Sequence, residues 1–251
     1  VYVPQKTTKM ESNTMKVDVW SDIMCPFCYI GKRHYEAALQ HFADSAGVEI
    51  VWHSFQLDPD IPAHPDKAVN VYQYLADRKG ISYQQSAAMH QNVVKMAREA
   101  GLNYNFDKAV VANSFDAHRL IQMAKLRGVG DAAEELLFRA YFTEGKNFAD
   151  HDTLMALGRQ IGLSEADVKA ALTDEKYAAL VRADIRSADE MKINGVPFFV
   201  FDGKYTVSGA QPPEMFLKAL QKSFTEWKKN NTAGLQPMGA GKVCTPGKDC
   251  E

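Results

Sequence analysis

With 251 residues, 46% of them hydrophobic, the chain has enough apolar material for one large domain, or for a domain carrying another inside it. Its 29 basic and 31 acidic residues give a formal net charge of −2, without the dominant basic character of a nucleic-acid binder. No apolar run approaches the roughly 18 residues of a membrane-spanning helix, so neither nucleic acid nor membrane is expected as a partner.

Residues 1–14, VYVPQKTTKMESNT, are polar, lack the apolar stretch of a signal peptide, and read as an N-terminal extension before Met15. With nothing to direct the chain elsewhere, a cytoplasmic location is expected. KVDVWS at 16–21 alternates apolar and polar side chains, as a half-buried strand does. Pro26 stands where a first helical turn begins and needs no amide donor there. A helix through about Phe42 follows, with Ile30, Ala38, Leu39 and Phe42 on one side. GVEIVWHSF at 47–55 is a second strand, and DPDIPAHPD at 58–66, with three prolines in nine residues, marks a boundary.

Residues 69–191 then show helical periodicity, broken at Gly80, Gly101, Gly128, Gly145 and Gly162. Ser82 is suited to cap a helix carrying Met89, Val93, Met96 and Ala100 along one side. Asn113 or Ser114 opens another, and Ser164 with Asp167 forms a capping box. After NGVP (194–197) β character returns: PFFVF, an Asp202-Gly203 turn and KYTVS predict a hairpin. PPEMFLKALQKSFTEW (212–227) is a final amphipathic helix with Met215, Leu217, Leu220 and Phe224 on its apolar side.

The order is therefore β-α-β, a block of helices, then β-β-α. The two ends can share one sheet, which predicts an α/β, thioredoxin-like fold with a large all-α helical insertion. Its halves are residues 15–62 and 192–228, the helical insertion domain is 63–191, and 229–251 is a C-terminal tail with a second cysteine pair.

Four cysteines are too few to build a disulfide scaffold at this length, and close spacing points instead to redox or metal chemistry. Cys25-Pro26-Phe27-Cys28 lies where a strand hands over to a helix. Its first sulfur is near unsatisfied backbone amides and the positive end of the helix dipole, which favour a thiolate. Its second, one turn on, is close enough to attack a mixed disulfide at the first. A four-cysteine zinc staple is the rival, because Cys244 and Cys250 supply a second pair. That pair, however, encloses five residues instead of the usual two to four, and the first pair opens a long helix. Redox chemistry is favoured and zinc remains open on these grounds.

CPFC after a strand, a helical block and a later GVPFFVF together resemble the DsbA-like branch of the thioredoxin superfamily. SDIMCPFCYIGKR, WHSFQLDP, NSFDAHRL, YFTEG and GVPFFVFDGKYTVSGAQ extend the similarity over most of residues 16–225 and point to its FrnE-like subgroup. The resemblance implies a thiol–disulfide oxidoreductase acting on thiol- or disulfide-containing proteins or small molecules. It implies that Cys25 is the exposed attacking thiol, that Cys28 is the buried resolving one, and that Pro197 is cis in a loop facing them. The backbone of Val196 is then free to pair with an extended substrate. The dithiol is itself the redox centre, so no organic cofactor and no metal is expected. The related kappa-class glutathione transferases and hydroxychromene-carboxylate isomerases share this scaffold, usually with serine at the nucleophile position. They supply the alternative, a glutathione-dependent transferase or isomerase with glutathione as co-substrate.

Trp20 and Phe27 flank the dithiol and are candidates for an apolar rim that grips substrate, with core packing the favoured role for Trp20. Asp22 is expected to cap the helix or to assist proton movement. His118, with Asn113 and Arg119 close by, is either a pocket wall or a structural histidine. Cys244 and Cys250 are either an auxiliary redox pair for Cys25 or a local exposed one.

Overall fold

The structure is a computed structural model that describes residues 14–62 and 69–232. Cys244 and Cys250, and with them the expectations for the tail, lie outside the described residues, as do the first thirteen.

Side chains alternate along β1 (Met15–Ser21), placing Met15, Val17 and Val19 on one face of the sheet and Trp20 on the other. β2 (Val48–Ser54) runs parallel to β1, with Met15 opposite Val48 and Ser21 opposite Ser54. β1 pairs on its other side with β5 (Phe198–Phe201), antiparallel, and β5 with β6 (Tyr205–Ser208). The four-stranded order is β2-β1-β5-β6. Asp202 and Gly203 between the last two strands have φ of 50° and 65°, the positive values a tight hairpin turn demands.

One face of this sheet is covered by α1 (Pro26–Gln40) and α9 (Pro213–Thr232). Val17, Val19, Phe199 and Phe201 pack there against Tyr35, Phe216, Leu220 and Phe224. Phe199 meets Phe216 edge-on at 4.7 Å between ring centroids. Burial of each large side chain contributes about 1.5–3 kcal/mol. Met215, expected on the apolar side of the last helix, is instead 46% exposed. The inward row is Phe216, Leu220 and Phe224 at spacings of four, and Met215 lies about 100° around the helix from it.

The helical block supplies α2 (Val71–Lys79), α3 (Tyr83–Glu99), α4 (Phe115–Leu126), α5 (Gly130–Phe142), α6 (His151–Gln160), α7 (Glu165–Thr173) and α8 (Glu175–Glu190). Ser82 and Ser164 cap α3 and α7 in reciprocal boxes with Gln85 and Asp167. The periodicity gave no sign of a short antiparallel ladder between β3 (Val69–Asn70) and β4 (Val110–Val111), two residues each. Among the described residues no helix is long and apolar enough to cross a membrane.

α8 lies against the edge strand β2. Its Asp184 accepts from the Ser54 amide at 2.9 Å and from Gln122 Nε2 at 2.5 Å, and pairs with His53 Nδ1 at 2.8 Å. The edge is thereby closed by a charge instead of another strand. α5 is joined to α1 by the buried Lys32, which forms ion pairs with Glu36, Asp131 and Glu135.

Candidate active site

Cys25 is the N-cap of α1, in extended conformation, with Pro26 following in the first turn. Its amide donates to the Asp22 carbonyl at 2.9 Å, and the Cys28 amide donates to the Cys25 carbonyl at 3.0 Å. These bonds close the turn and place two free thiols one helical turn apart. Val196–Pro197 is a cis peptide, and the Val196 carbonyl accepts from Cys25 Sγ at 3.4 Å. Gly31 allows this approach: a Cβ there would stand 3.0 Å from Pro197 Cγ.

The resemblance implied an exposed Cys25, but only 3% of the residue is exposed. The sulfur lies instead at the floor of a cavity of about 600 Å³ between the CPFC turn, the Val196 loop and the helical block. Phe27, expected at the rim, is 38% exposed and lines this cavity with Val196. Trp20 is a correction. It is 4% exposed and faces α8, where its indole N–H donates to the Asp184 carbonyl at 3.2 Å and its ring stacks on His53 at 4.5 Å. Strand alternation turns Trp20 to the α8 face, away from the cavity, so its role is packing.

Cys28 is fully buried. Burial pushes its thiol up and the neighbouring Cys25 sulfur adds to this, while the Asp22 backbone and the Ser21 hydroxyl act in the opposite direction. Behind it is a closed set of polar side chains: Ser21, Asp22, His118 and Glu134, none more than 1% exposed. Asp22 does not cap α1; its carboxylate accepts from the Leu57 amide at 2.7 Å. His118 is not a wall of the cavity; it is buried on α4 and faces Asp22, the placement of a structural histidine. Its Nε2 is 3.5 Å from Asp22 Oδ1, within ion-pair distance. Burial opposes charge on His118, but the carboxylates of Asp22 and Glu134 outweigh it and raise its pKa. Burial pushes Glu134 up to about 7, against the pull of His118. Asn113, just before the N-cap Ser114, accepts from the Phe115 amide at 2.9 Å, and Arg119 ties α4 to the Ala171 carbonyl at 2.8 Å, so both are structural.

Two contributors escaped sequence reading. Tyr104 donates to the Pro26 carbonyl at 2.7 Å and stacks on Phe142 at 4.5 Å, anchoring the CPFC turn to the helical block. Glu134 had a usable signal, since it shares a helical side with Leu137 and Phe138, where a carboxylate is out of place. Among the described residues no group of three or more His, Cys, Asp or Glu is placed to hold a metal ion.

The sequence model of the DSBA-like thioredoxin domain matches residues 16–221. YwbO of Bacillus subtilis (strain 168), an uncharacterized protein, is 30% identical over 209 residues, which is 82% of this chain and 96% of that protein. A "probable DsbA oxidoreductase" from Streptomyces coelicolor superposes with a TM-score of 0.78 at 37% identity, covering 94% of this chain and 98% of its own. The cytosolic disulfide reductase DsbM of Pseudomonas aeruginosa, whose structure is also known with GSH, shares the fold at a TM-score of 0.61 and 19% identity. That likeness covers 84% of this chain and 99% of DsbM.

Proposed function

The chain belongs to the DSBA-like thioredoxin family, and on that footing we propose that it is a thiol–disulfide oxidoreductase whose working groups are Cys25 and Cys28. The observation that carries the reading is the placement of the two sulfurs. Cys25 Sγ meets the cavity at a helix N-terminus beside the Val196 carbonyl, and Cys28 is sealed one turn behind it.

When the pair is reduced, Cys25 attacks a substrate disulfide, forming a mixed disulfide and releasing one thiolate. Cys28 then loses its proton and attacks Cys25 Sγ; the Cys25–Cys28 disulfide forms and the second thiolate leaves. The reverse sequence oxidises a dithiol substrate. The net direction follows from the pair's reduction potential against that of its compartment. Glu134, whose pKa burial pushes up to about 7 and which lies beside Ser21, is the candidate acceptor of the Cys28 proton. Glutathione is a natural first small thiol to test as co-substrate.

Replacing Cys25 by Ser abolishes dithiol turnover of hydroxyethyl disulfide, whereas the Cys244→Ser/Cys250→Ser protein retains it. Turnover at the normal rate by Cys25→Ser would overturn the assignment.

A further inference from the structure

The stripe of Met89, Val93 and Met96 on α3 reads in sequence as an ordinary packing face. It does not pack as one: Met89 is 41% and Met96 40% exposed, and both line the cavity over Cys25 together with Val93. Phe27 and Tyr74 complete a largely apolar wall. Methionine is flexible and polarisable, and it suits a surface that accommodates flat or aromatic ligands of varied outline. The volume, about 600 Å³, is that of a small-molecule site. Cys25, 3% exposed at its floor, is reached by a slender ligand and not by a disulfide lying flush in a folded surface.

The rim carries charge of one sign. Arg78 and Lys79, in the last turn of α2, both border the cavity. Arg78 is neutralised by Asp58, which also accepts from Tyr74. Lys79 has no carboxylate partner among the described residues, and burial lowers the pKa of the cavity's histidine, His90. The mouth is thus net positive on a chain whose formal charge is −2.

Resting on the exchange reaction at Cys25, we infer that this cavity selects low-molecular-weight disulfides with an apolar, aromatic body and an anionic group, the body against the Met89–Met96 stripe and the anion toward Lys79. Writing the substrate R–S–S–R, Cys25 thiolate gives Cys25–S–S–R and R–S⁻. Cys28 thiolate then gives the Cys25–Cys28 disulfide and a second R–S⁻. Two electrons pass from the dithiol to the substrate, one S–S bond breaks and one forms at each step, and a dithiol reductant restores the pair.

The test uses the full chain with Cys244→Ser and Cys250→Ser, pre-reduced, in stopped-flow kinetics. The probes are 5,5′-dithiobis(2-nitrobenzoate), which is aromatic and anionic, neutral 4,4′-dithiodipyridine, and hydroxyethyl disulfide and oxidised glutathione as hydrophilic references. The rate with the anionic aromatic probe saturates with its concentration. Met89→Gln combined with Met96→Gln raises the half-saturating concentration about tenfold, the equivalent of roughly 1.4 kcal/mol of lost apolar contact. Lys79→Glu raises it about fivefold for the anionic probe but changes the neutral aromatic probe less than about twofold. All three positions are exposed, and an unchanged circular-dichroism melt certifies the variants' fold. Linear kinetics untouched by these substitutions, or oxidised glutathione or a scrambled protein disulfide reacting faster than both aromatic probes, overturns the inference while leaving exchange at Cys25 intact. Failure of Cys25 to react even with hydroxyethyl disulfide overturns the exchange reading and this inference together.

Discussion

The surroundings of Cys25 and Cys28 differ more than their separation of one helical turn suggests. On the Cys25 side the walls are apolar and open, with Phe27, Met89 and Met96 each roughly two-fifths exposed. On the Cys28 side they are polar and shut, with Ser21, Asp22, His118 and Glu134 at 1% exposure or less. Apolar groups facing solvent are tolerated where a ligand is to displace water. Polar groups facing the interior cost stability unless they are hydrogen-bonded or paired with an opposite charge. Under the proposed function, covalent exchange belongs to one side of the helix terminus and proton handling to the other.

The most severe way to break that division is to remove the inner sulfur. Cys28→Ser leaves attack by Cys25 intact but stops resolution, so turnover falls to background. Mixed disulfides then accumulate on Cys25 as adducts in non-reducing mass spectrometry. Their absence, with turnover preserved, would show that the two sulfurs do not act in sequence.

Glu134→Gln probes the closed side. Between its ordinary value of 4.5 and about 7, Glu134 is ionised in the unfolded chain but protonated in the folded one. Folding stability therefore falls as pH rises through this window, by on the order of 3 kcal/mol. Gln removes that slope, and the variant gains stability on wild type as pH rises from 5 to 8 in urea denaturation. It also slows the second exchange step near pH 7 while sparing the first. Parallel slopes for both proteins would place Glu134 outside the titration.

Asp184→Asn tests whether the polar lining reaches as far as the sheet edge. Burial by itself opposes charge on His53, but Asp18 and Asp184 outweigh it and raise its pKa; His53 and Lys125 in turn lower that of Asp184 despite burial. The His53 contribution is fully present below about 6.5 and is lost as pH rises through the raised folded value. The Asp184 contribution is present above its ordinary 3.8 and is lost as pH falls through the lowered one. The substitution costs about 2 kcal/mol near pH 6 and less toward either extreme, read from chemical denaturation. Tyr104→Phe is the mildest change. It deletes the bond to the Pro26 carbonyl for about 1 kcal/mol, leaving exchange at Cys25 measurable but the CPFC turn less protected in hydrogen exchange.

Much of the architecture was legible because its signals are short in range. Alternation in KVDVWS, proline at the first turn of α1, the Asp202-Gly203 turn and the caps at Ser82 and Ser164 each act within a few residues, and each is found where the chain implies. What failed did so at longer range. As a rim candidate Trp20 fails, because nearness to Cys25 in sequence is not nearness to the cavity: the strand turns it toward α8. The Met89–Val93–Met96 stripe was correctly seen as one side of a helix, but periodicity says only that side chains share a face, not what that face meets.

From its sequence alone this chain specified a strand–helix–strand start, a hairpin–helix finish and a dithiol at a helix N-terminus, because backbone propensity, capping and two-residue spacing are local. Tertiary structure alone decided that Cys25 lies at the floor of a cavity, that Glu134 on α5 is buried beside Ser21, and that Tyr104 anchors the CPFC turn to the helical block. Those contacts join distant segments through packing and burial, and the strength of each depends on the low-dielectric interior that only the folded chain creates.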